Sequence, residues 1–428
     1  LESEESQDPG GFPSPIMRDW GRSREDKVKE GTERARSGAE PPVREEFLPF
    51  ARAWVGEEEI REMLDTLASD WISTGPKTRL FEEQARSYLG VPHAIALSSC
   101  TAALHLSVVG SGIGPGDEVI TSPLTFCATA NVVLHERARV VFVDVERDSF
   151  NMNPDLLGAA VTPRTKAIIP VHYGGQPCEM EAILDIAQEH GLKVFEDAAH
   201  AIGASYRGRP AGTMGDTGCF SFYAIKNMTT GEGGLLATSD DELAERARIL
   251  SLHGISKDAW KRYSRQGSWF YEVVSPGFKY NMSDLQASLG LHQLAKLDGF
   301  IERREVLARR YDQGFKDLGE IETQKVRPGL KHARHLYPIL IALERLTIDR
   351  AGFIEALRRE NIGTTVNFIP VHLQPYYRET FGYEEGDFPV AEDIYSREIS
   401  LPLFPRMGES DVDSVIRAVC KVVDRHRK

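Results

Sequence analysis

The sequence predicts an α/β protein with a seven-stranded, mostly parallel sheet in a large domain and a smaller α+β domain after it. Three observations carry that expectation. Short β-rich runs recur between residues 93 and 238, amphipathic helical stretches separate most of them, and the runs are apolar at nearly every position. A strand that is apolar on both faces belongs in a sheet covered on both faces, which is the pattern of parallel sheets with helical crossovers.

Residues 1–46 hold twelve acids and eight bases among repeated Gly, Pro and Ser, with little apolar periodicity. Such a segment cannot bury enough apolar surface to offset its ordering entropy, so it reads as a flexible tail or a partner-binding arm. Residues 47–295 form the expected large domain, with 47–77 open to a role in the small domain or in a dimer contact. Its strands are expected at His93–Ser98, Glu118–Ser122, Arg139–Val143, Lys166–His172, Lys193–Asp197, Cys219–Tyr223 and Gly234–Thr238. Helices are expected at Thr101–Val109, Glu179–Glu189 and Asp240–Leu250. Ser283 looks like the N-cap of a long helix running through Asp317 with a charged face. The small domain, 296–428, adds strand-like runs at Leu336–Leu343 and Thr364–Phe368 and helices at Asp349–Glu360 and Ser410–Arg425.

Charge and cysteine content narrow the function. Lys plus Arg number 51 against 64 Asp plus Glu, a net charge of −13. A broad nucleic-acid-binding face is not expected, because the field of the whole protein repels a phosphate backbone. Any phosphate must then be held locally. The five cysteines are scattered with no CxxC, so neither a disulfide framework nor a metal site is expected. No apolar run approaches the ~18 residues of a membrane span and no secretory signal is evident, which makes the cytoplasm the expected compartment.

Ligands of open α/β sheets bind beyond the carboxyl ends of the strands, and four features lie there. Ser98-Ser99-Cys100-Thr101 joins a strand to a helix, where free N–H groups and the Thr101 hydroxyl can cradle an anion, or where Ser99 or Thr101 simply caps the helix. Asp197 closes an otherwise apolar strand, and a carboxylate there needs a cationic or hydrogen-bonding partner; His200 follows three residues on as a site or packing histidine. Ser221 and Lys226 lie between an apolar strand and the glycine-rich turn Gly231–Gly234. A lysine held among apolar groups suits amine chemistry, whereas an ordinary loop lysine does not. Phe126, after Ser122-Pro123, offers a ring face for stacking or belongs to the core.

Taken together these residues resemble a fold-type I pyridoxal-phosphate (PLP) transferase, and more narrowly the DegT/DnrJ/EryC1/StrS family of sugar aminotransferases. Glu-Asp-Ala-Ala-His at 196–200, Ser-Phe-Tyr-Ala-Ile-Lys at 221–226 and Gly-Glu-Gly-Gly at 231–234 carry the resemblance. It extends from Thr74-Gly75-Pro76-Lys77 to Ile369-Pro370-Val371-His372-Leu373-Gln374. The resemblance implies that Lys226 holds PLP as a Schiff base, Asp197 pairs with the pyridine nitrogen, His200 contacts the ring-oxygen side and Phe126 stacks on the ring. Cys100, Thr101 and Ser221 would hold the phosphate, with Asn281 also near the cofactor.

Two departures bear on specificity. Ser99-Cys100-Thr101 stands where relatives commonly have Ser-Gly-Thr, and Lys279-Tyr280-Asn281 where they often have Asn-Tyr-Arg. The latter form is similar to the branch acting on 4-ketosugars. The implied activity is ping-pong transfer of an amino group, with pyridoxamine phosphate (PMP) as the intermediate cofactor form, from an amino acid such as L-glutamate to a nucleotide-linked ketosugar at C4. The acceptor is expected to meet Thr74, Gly75, His253, Lys279 and His372, with the basic stretch 257–269 as a nucleotide-binding loop or a solvated one. A homodimer with shared active sites is expected. Transfer to a ketocyclitol or other small ketone, and a non-catalytic PLP-fold sensor, are the rival readings; Lys226 argues against a dehydratase.

Overall fold

The central sheet contains β1 (His93–Leu97), β2 (Glu118–Thr121), β3 (Arg139–Phe142), β4 (Thr165–Ile169), β5 (Lys193–Asp197), β6 (Thr217–Ser221) and β7 (Gly234–Thr238). Its spatial order is β1–β7–β6–β5–β4–β2–β3. Six strands share one direction, and β7 runs against both of its neighbours, β1 and β6. This computed structural model describes residues 40–255 and 270–428. Most of the expected tail and the 257–269 loop therefore lie outside the described residues. Val43–Lys428 form one compact unit.

The expected strands appear with ends shifted by no more than three residues, and the largest differences have local causes. The run expected at 166–172 stops at Ile169 because Pro170 has no N–H to give to a ladder. Pairing resumes only as an isolated bridge between Val171 and Asp197. The strand expected at 219–223 begins earlier and ends at Ser221, where the chain leaves the sheet for the loop that carries Lys226.

Helices cover the sheet: α1 (Glu57–Ala68), α2 (Pro76–Leu89), α3 (Cys100–Gly110), α4 (Ala128–His135), α5 (Met180–His190), α6 (Asp241–Ser251) and α7 (Asp284–Phe315). Ser283 caps α7 as its sequence suggests, in a reciprocal box with Gln286. The first half of α7 packs Ala287, Leu291 and Leu297 with Phe81, Phe220 and Leu235 against the large sheet. Its second half delivers Leu307, Tyr311 and Phe315 to a separate core with Tyr337, Ile339 and Ile399. One long helix thus belongs to two hydrophobic clusters.

The second core is organised by a three-stranded antiparallel sheet, β8 (Ile321–Thr323), β9 (Tyr337–Ile341) and β10 (Glu398–Leu401). Around it lie α8 (Arg350–Arg359), α9 (Pro375–Phe381), α10 (Pro389–Arg397) and α11 (Glu409–His426). The expected strand at 364–368 is not one. Thr365 exchanges backbone hydrogen bonds with Ser400, but the next inward N–H, that of Asn367, goes to the Glu398 carboxylate at 2.8 Å. A side chain in place of a carbonyl ends the ladder, and β10, which sequence reasoning did not single out, supplies the third strand.

Candidate active site

Asp197 is the last residue of β5 and is only 5% exposed. Its carboxylate accepts the Thr129 hydroxyl at 2.7 Å and the Ala199 N–H at 3.1 Å. Neither donor is charged, and burial holds the carboxyl above its ordinary range despite both bonds and the nearby Lys226. Behind it, the fully buried pair His172–Glu196 (2.9 Å) braces the strand end. Glu196 also takes the N–H groups of Gly212, Met214 and Gly215 at 2.6–2.7 Å.

Lys226 sits in the loop between β6 and β7, a turn closed by its own N–H to Tyr223 O at 2.9 Å. The residue as a whole is half-buried, yet its amine is closely surrounded by protein. Desolvation draws the amine down to about 8, with the Asp197 carboxylate pulling the other way. His200 is buried, and its Nδ1 accepts the Gly174 N–H at 3.2 Å, so Nε2 is assigned the proton. Burial first, and Lys226 second, hold its pKa well below the usual histidine range; the ring is neutral with one N–H to give.

The anion cradle takes shape at the start of α3. Ser99 caps the helix by accepting the Ala102 N–H at 3.1 Å. The earlier amides, including those of Cys100 and Thr101, have no acceptor within the helix. Thr101 is exposed in that first turn, while the Cys100 thiol is buried and pushed well up in pKa, hence protonated. β7 crosses directly beneath: a Cβ on Gly234 would stand 2.4 Å from Cys100 N, so only glycine permits this approach. Ser221 is paired with Gly234 in the sheet, and its hydroxyl accepts a long 3.4 Å bond from Tyr223 N–H, leaving its hydrogen to donate. Phe126 is 60% exposed, with its ring 6.0 Å from that of Phe368.

A second group of expected residues gathers along the 278–284 segment. Ser98 N–H bonds to Tyr280 O at 2.7 Å, and Asn281 bridges to Leu97 at the end of β1. The Asn281 amide donates to Thr74 Oγ1 at 2.6 Å and its oxygen accepts from Lys279. Gly75 is tied down by its N–H to Asp284 at 2.7 Å. His253, exposed and at φ +59°, joins the same segment through its N–H to Phe278 O at 2.7 Å. His372 does not join either group: it is fully buried against Phe388, with Nε2 2.9 Å from Glu392.

Sequence reasoning did not single out Thr129, Phe368 or His335, all of which touch the first group. Thr129 follows Phe126 by three residues on α4, and that spacing was its only signal. Phe368 and His335 arrive from distant segments, and nothing in their neighbourhoods marks them.

A carboxylate buried without a charged partner, a neutral imidazole N–H, an exposed aromatic face, a hydroxyl-lined helix start and a desolvated amine fit PLP group for group. Comparison with known proteins agrees. The sequence pattern of the DegT/DnrJ/EryC1/StrS aminotransferase family matches residues 54–420. The spore coat polysaccharide biosynthesis protein SpsC of Bacillus subtilis is 54% identical over 381 residues, covering 89% of this chain and 98% of SpsC. Spr1654 of Streptococcus pneumoniae, assigned as a sugar aminotransferase, superposes in its PLP form with a TM-score of 0.83 at 34% identity, over 89% of this chain and 99% of its own; its PMP form gives the same score. PseC of Helicobacter pylori, an aminotransferase involved in pseudoaminic acid biosynthesis, gives 0.82 at 31% identity, over 89% of this chain and all of PseC.

Proposed function

The chain belongs to the DegT/DnrJ/EryC1/StrS aminotransferase family and is a PLP-dependent sugar aminotransferase; from that premise we propose that it moves the amino group of L-glutamate to C4 of a nucleotide-linked ketosugar, with Lys226 as the lysine that holds the cofactor. The observation that carries the assignment of Lys226 is its amine, drawn to about 8 beside the buried Asp197 and the neutral His200. When bound, PLP supplies an electron sink for the charge left by a departing Cα proton.

The protein's own groups divide the remaining work. Lys226 Nζ holds that proton and returns it, and an amine titrating near 8 populates both forms around neutral pH. Asp197 takes the pyridine-nitrogen role, where a positive charge offsets the cost of its burial. His200 Nε2–H serves the ring-oxygen side and Phe126 the ring face. Thr101, Ser221 and the amides at Cys100 hold the phosphate. Thr74, Gly75, His253 and Lys279 receive the acceptor, whose diphosphate the exposed Lys279 suits, while Asn281 serves the cofactor side from its place beside Leu97. His372, being buried, supports the 371–373 turn instead of touching the sugar.

A sugar acceptor is supported by the relatives themselves, SpsC in polysaccharide biosynthesis and PseC in pseudoaminic acid biosynthesis. C4 is supported by the Lys279-Tyr280-Asn281 form of the loop. A homodimer is supported by an exposed apolar row on α1, Ile60, Leu64 and Leu67, continued by Trp71 and Ile72, each 41–51% exposed. The test is a half-reaction: the enzyme is loaded as PMP, and nucleotide sugars with a keto group at C4 or C3 are screened for recovery of the PLP absorption band. Recovery with a 4-ketosugar and release of the 4-amino product are expected. Recovery only with a 3-ketosugar or a ketocyclitol would replace the acceptor assigned here.

A further inference from the structure

Lys226 and His200 are both presented by loops of the large sheet, yet one residue from outside that sheet touches the surroundings of each. The His335 ring lies 4.4 Å from the His200 ring, centroid to centroid, at 40°. His335 Nδ1 is 3.2 Å from the side-chain oxygen of Asn227, the residue directly after Lys226. The Asn227 amide is oriented by its N–H group, which donates to Ala333 O at 2.7 Å. Its oxygen therefore faces His335, which must carry its hydrogen on Nδ1.

The segment that delivers His335 is fixed with unusual care. Ala333 and Leu336 donate their N–H groups to the carbonyls of Gly175 and Gly174, at 2.9 and 3.1 Å. Gly175 in turn leaves no room for a side chain, since a Cβ there would stand 2.8 Å from the His200 carbonyl. From the other side comes Arg304 of α7, buried and bonded through Nη1 to the carbonyls of Arg334, His335 and Leu403. A buried guanidinium bonded to carbonyls and not to a carboxylate is costly. Here its bonds are spent on the backbone that aims His335. Burial is the first cause holding the His335 ring neutral, and the nearby cations Lys226 and Arg304 also oppose a charge on it.

We propose that His335 is a positioning residue of this active site: its ring sets the plane of His200, and its Nδ1–H, acting through Asn227, sets the turn that presents Lys226. The proposal rests on the reading of Lys226 as the cofactor's lysine. It makes the long helix α7, through Arg304, part of the machinery that aligns two groups of the large sheet.

Two substitutions separate the two contacts. His335→Phe keeps a ring against His200 and loses the bond to Asn227; His335→Asn keeps an N–H in the place of Nδ1 and loses the ring. In the cofactor-free protein the titration of the Lys226 amine can be followed by competitive labelling and mass spectrometry. His335→Phe is expected to move that titration by about half a pH unit or more, because a desolvated amine responds to small changes in its surroundings. It should also lower kcat by about tenfold, the effect of a misplaced catalytic group. His335→Asn is expected to leave the Lys226 titration in place and to shift the pH at which the bound cofactor's absorption band titrates. Should His335→Phe fail to fold, Asn227→Ala removes the same bond from its other end. Wild-type titration and kcat in both His335→Phe and Asn227→Ala would overturn the inference. A failure of the Lys226 reading looks different: Lys226→Ala would then still turn over.

Discussion

Asp197, His200 and Ser221 lie 5–9% exposed at or beside the ends of neighbouring strands, whereas Thr74, His253 and Lys279 stand exposed on the chain just before α2, just after α6 and just before α7. The first set is held by bonds that leave each group one thing to do: Asp197 has two neutral donors, and His200 has one proton and a fixed acceptor. The second set is bonded mainly to itself, as in the Lys279–Asn281–Thr74 chain. Buried polar groups must be satisfied within one chain, so their roles are set before any ligand arrives. Exposed loop groups are completed by what binds them. The cofactor side should therefore respond to substitution steeply and the acceptor side gently.

The steepest response is expected at Lys226. Lys226→Ala should lower turnover by about 10⁴-fold or more, the upper range of a lost acid–base group, with the covalent tether gone as well. Retention of the cofactor through dialysis, followed by absorbance, checks the tether separately from turnover. The same amine gives a pH signature. With its pKa at about 8 rather than at the usual lysine value near 10.5, the free base forms as pH rises through 8. Reconstitution of the cofactor-free protein with PLP should accelerate up to about pH 8 and then level. Continued acceleration toward pH 10 would place the amine in water, and the contrast between the two sides would collapse.

Asp197→Asn comes next, and two measurements should move in opposite directions. With cofactor bound, turnover should fall by about 10²–10³-fold, as expected when one partner of a buried charge pair is removed. Without cofactor, the carboxylate is a liability, since burial raises its pKa and opposes its charge. The melting temperature of the cofactor-free variant should then hold or rise while that of the loaded protein drops. A fall in both would mean that Asp197 supports the fold as much as the site.

The same contrast explains what the sequence made legible. Asp197 was visible because a carboxylate closing an apolar strand is a conflict that needs a partner, and Lys226 because it breaks the same rule one strand away. The seven strands were legible from their continuous apolar runs, and the long helix from Ser283 and the charged face that follows it. The extended segment 364–368 misled because its residues suit a strand. Only the Glu398 side chain, thirty residues on, ends its pairing. His335 and Phe368 were invisible for a related reason: each meets His200 only through tertiary packing across more than a hundred residues of chain. His372 shows the converse, a histidine in a recognisable motif whose ring the structure spends on Glu392.

The gentlest response belongs to Lys279, and it bears on the charge of −13 that set the problem of holding a phosphorylated ligand. The overall field opposes a nucleotide diphosphate, so a local exposed cation matters more here than on a neutral protein. Its interaction is also open to water and salt, which limits its worth to about 1 kcal/mol. Lys279→Ala should therefore raise KM for the nucleotide sugar by about five- to tenfold at low salt, a difference that shrinks as ionic strength rises. Glutamate-side kinetics and cofactor affinity should stay within about twofold, because the first half-reaction needs nothing from an exposed diphosphate contact. A loss of cofactor, or an equal loss in both half-reactions, would show that Lys279 reaches across to the buried set. The two sides would then be one site, aligned through Asn281 at the end of β1.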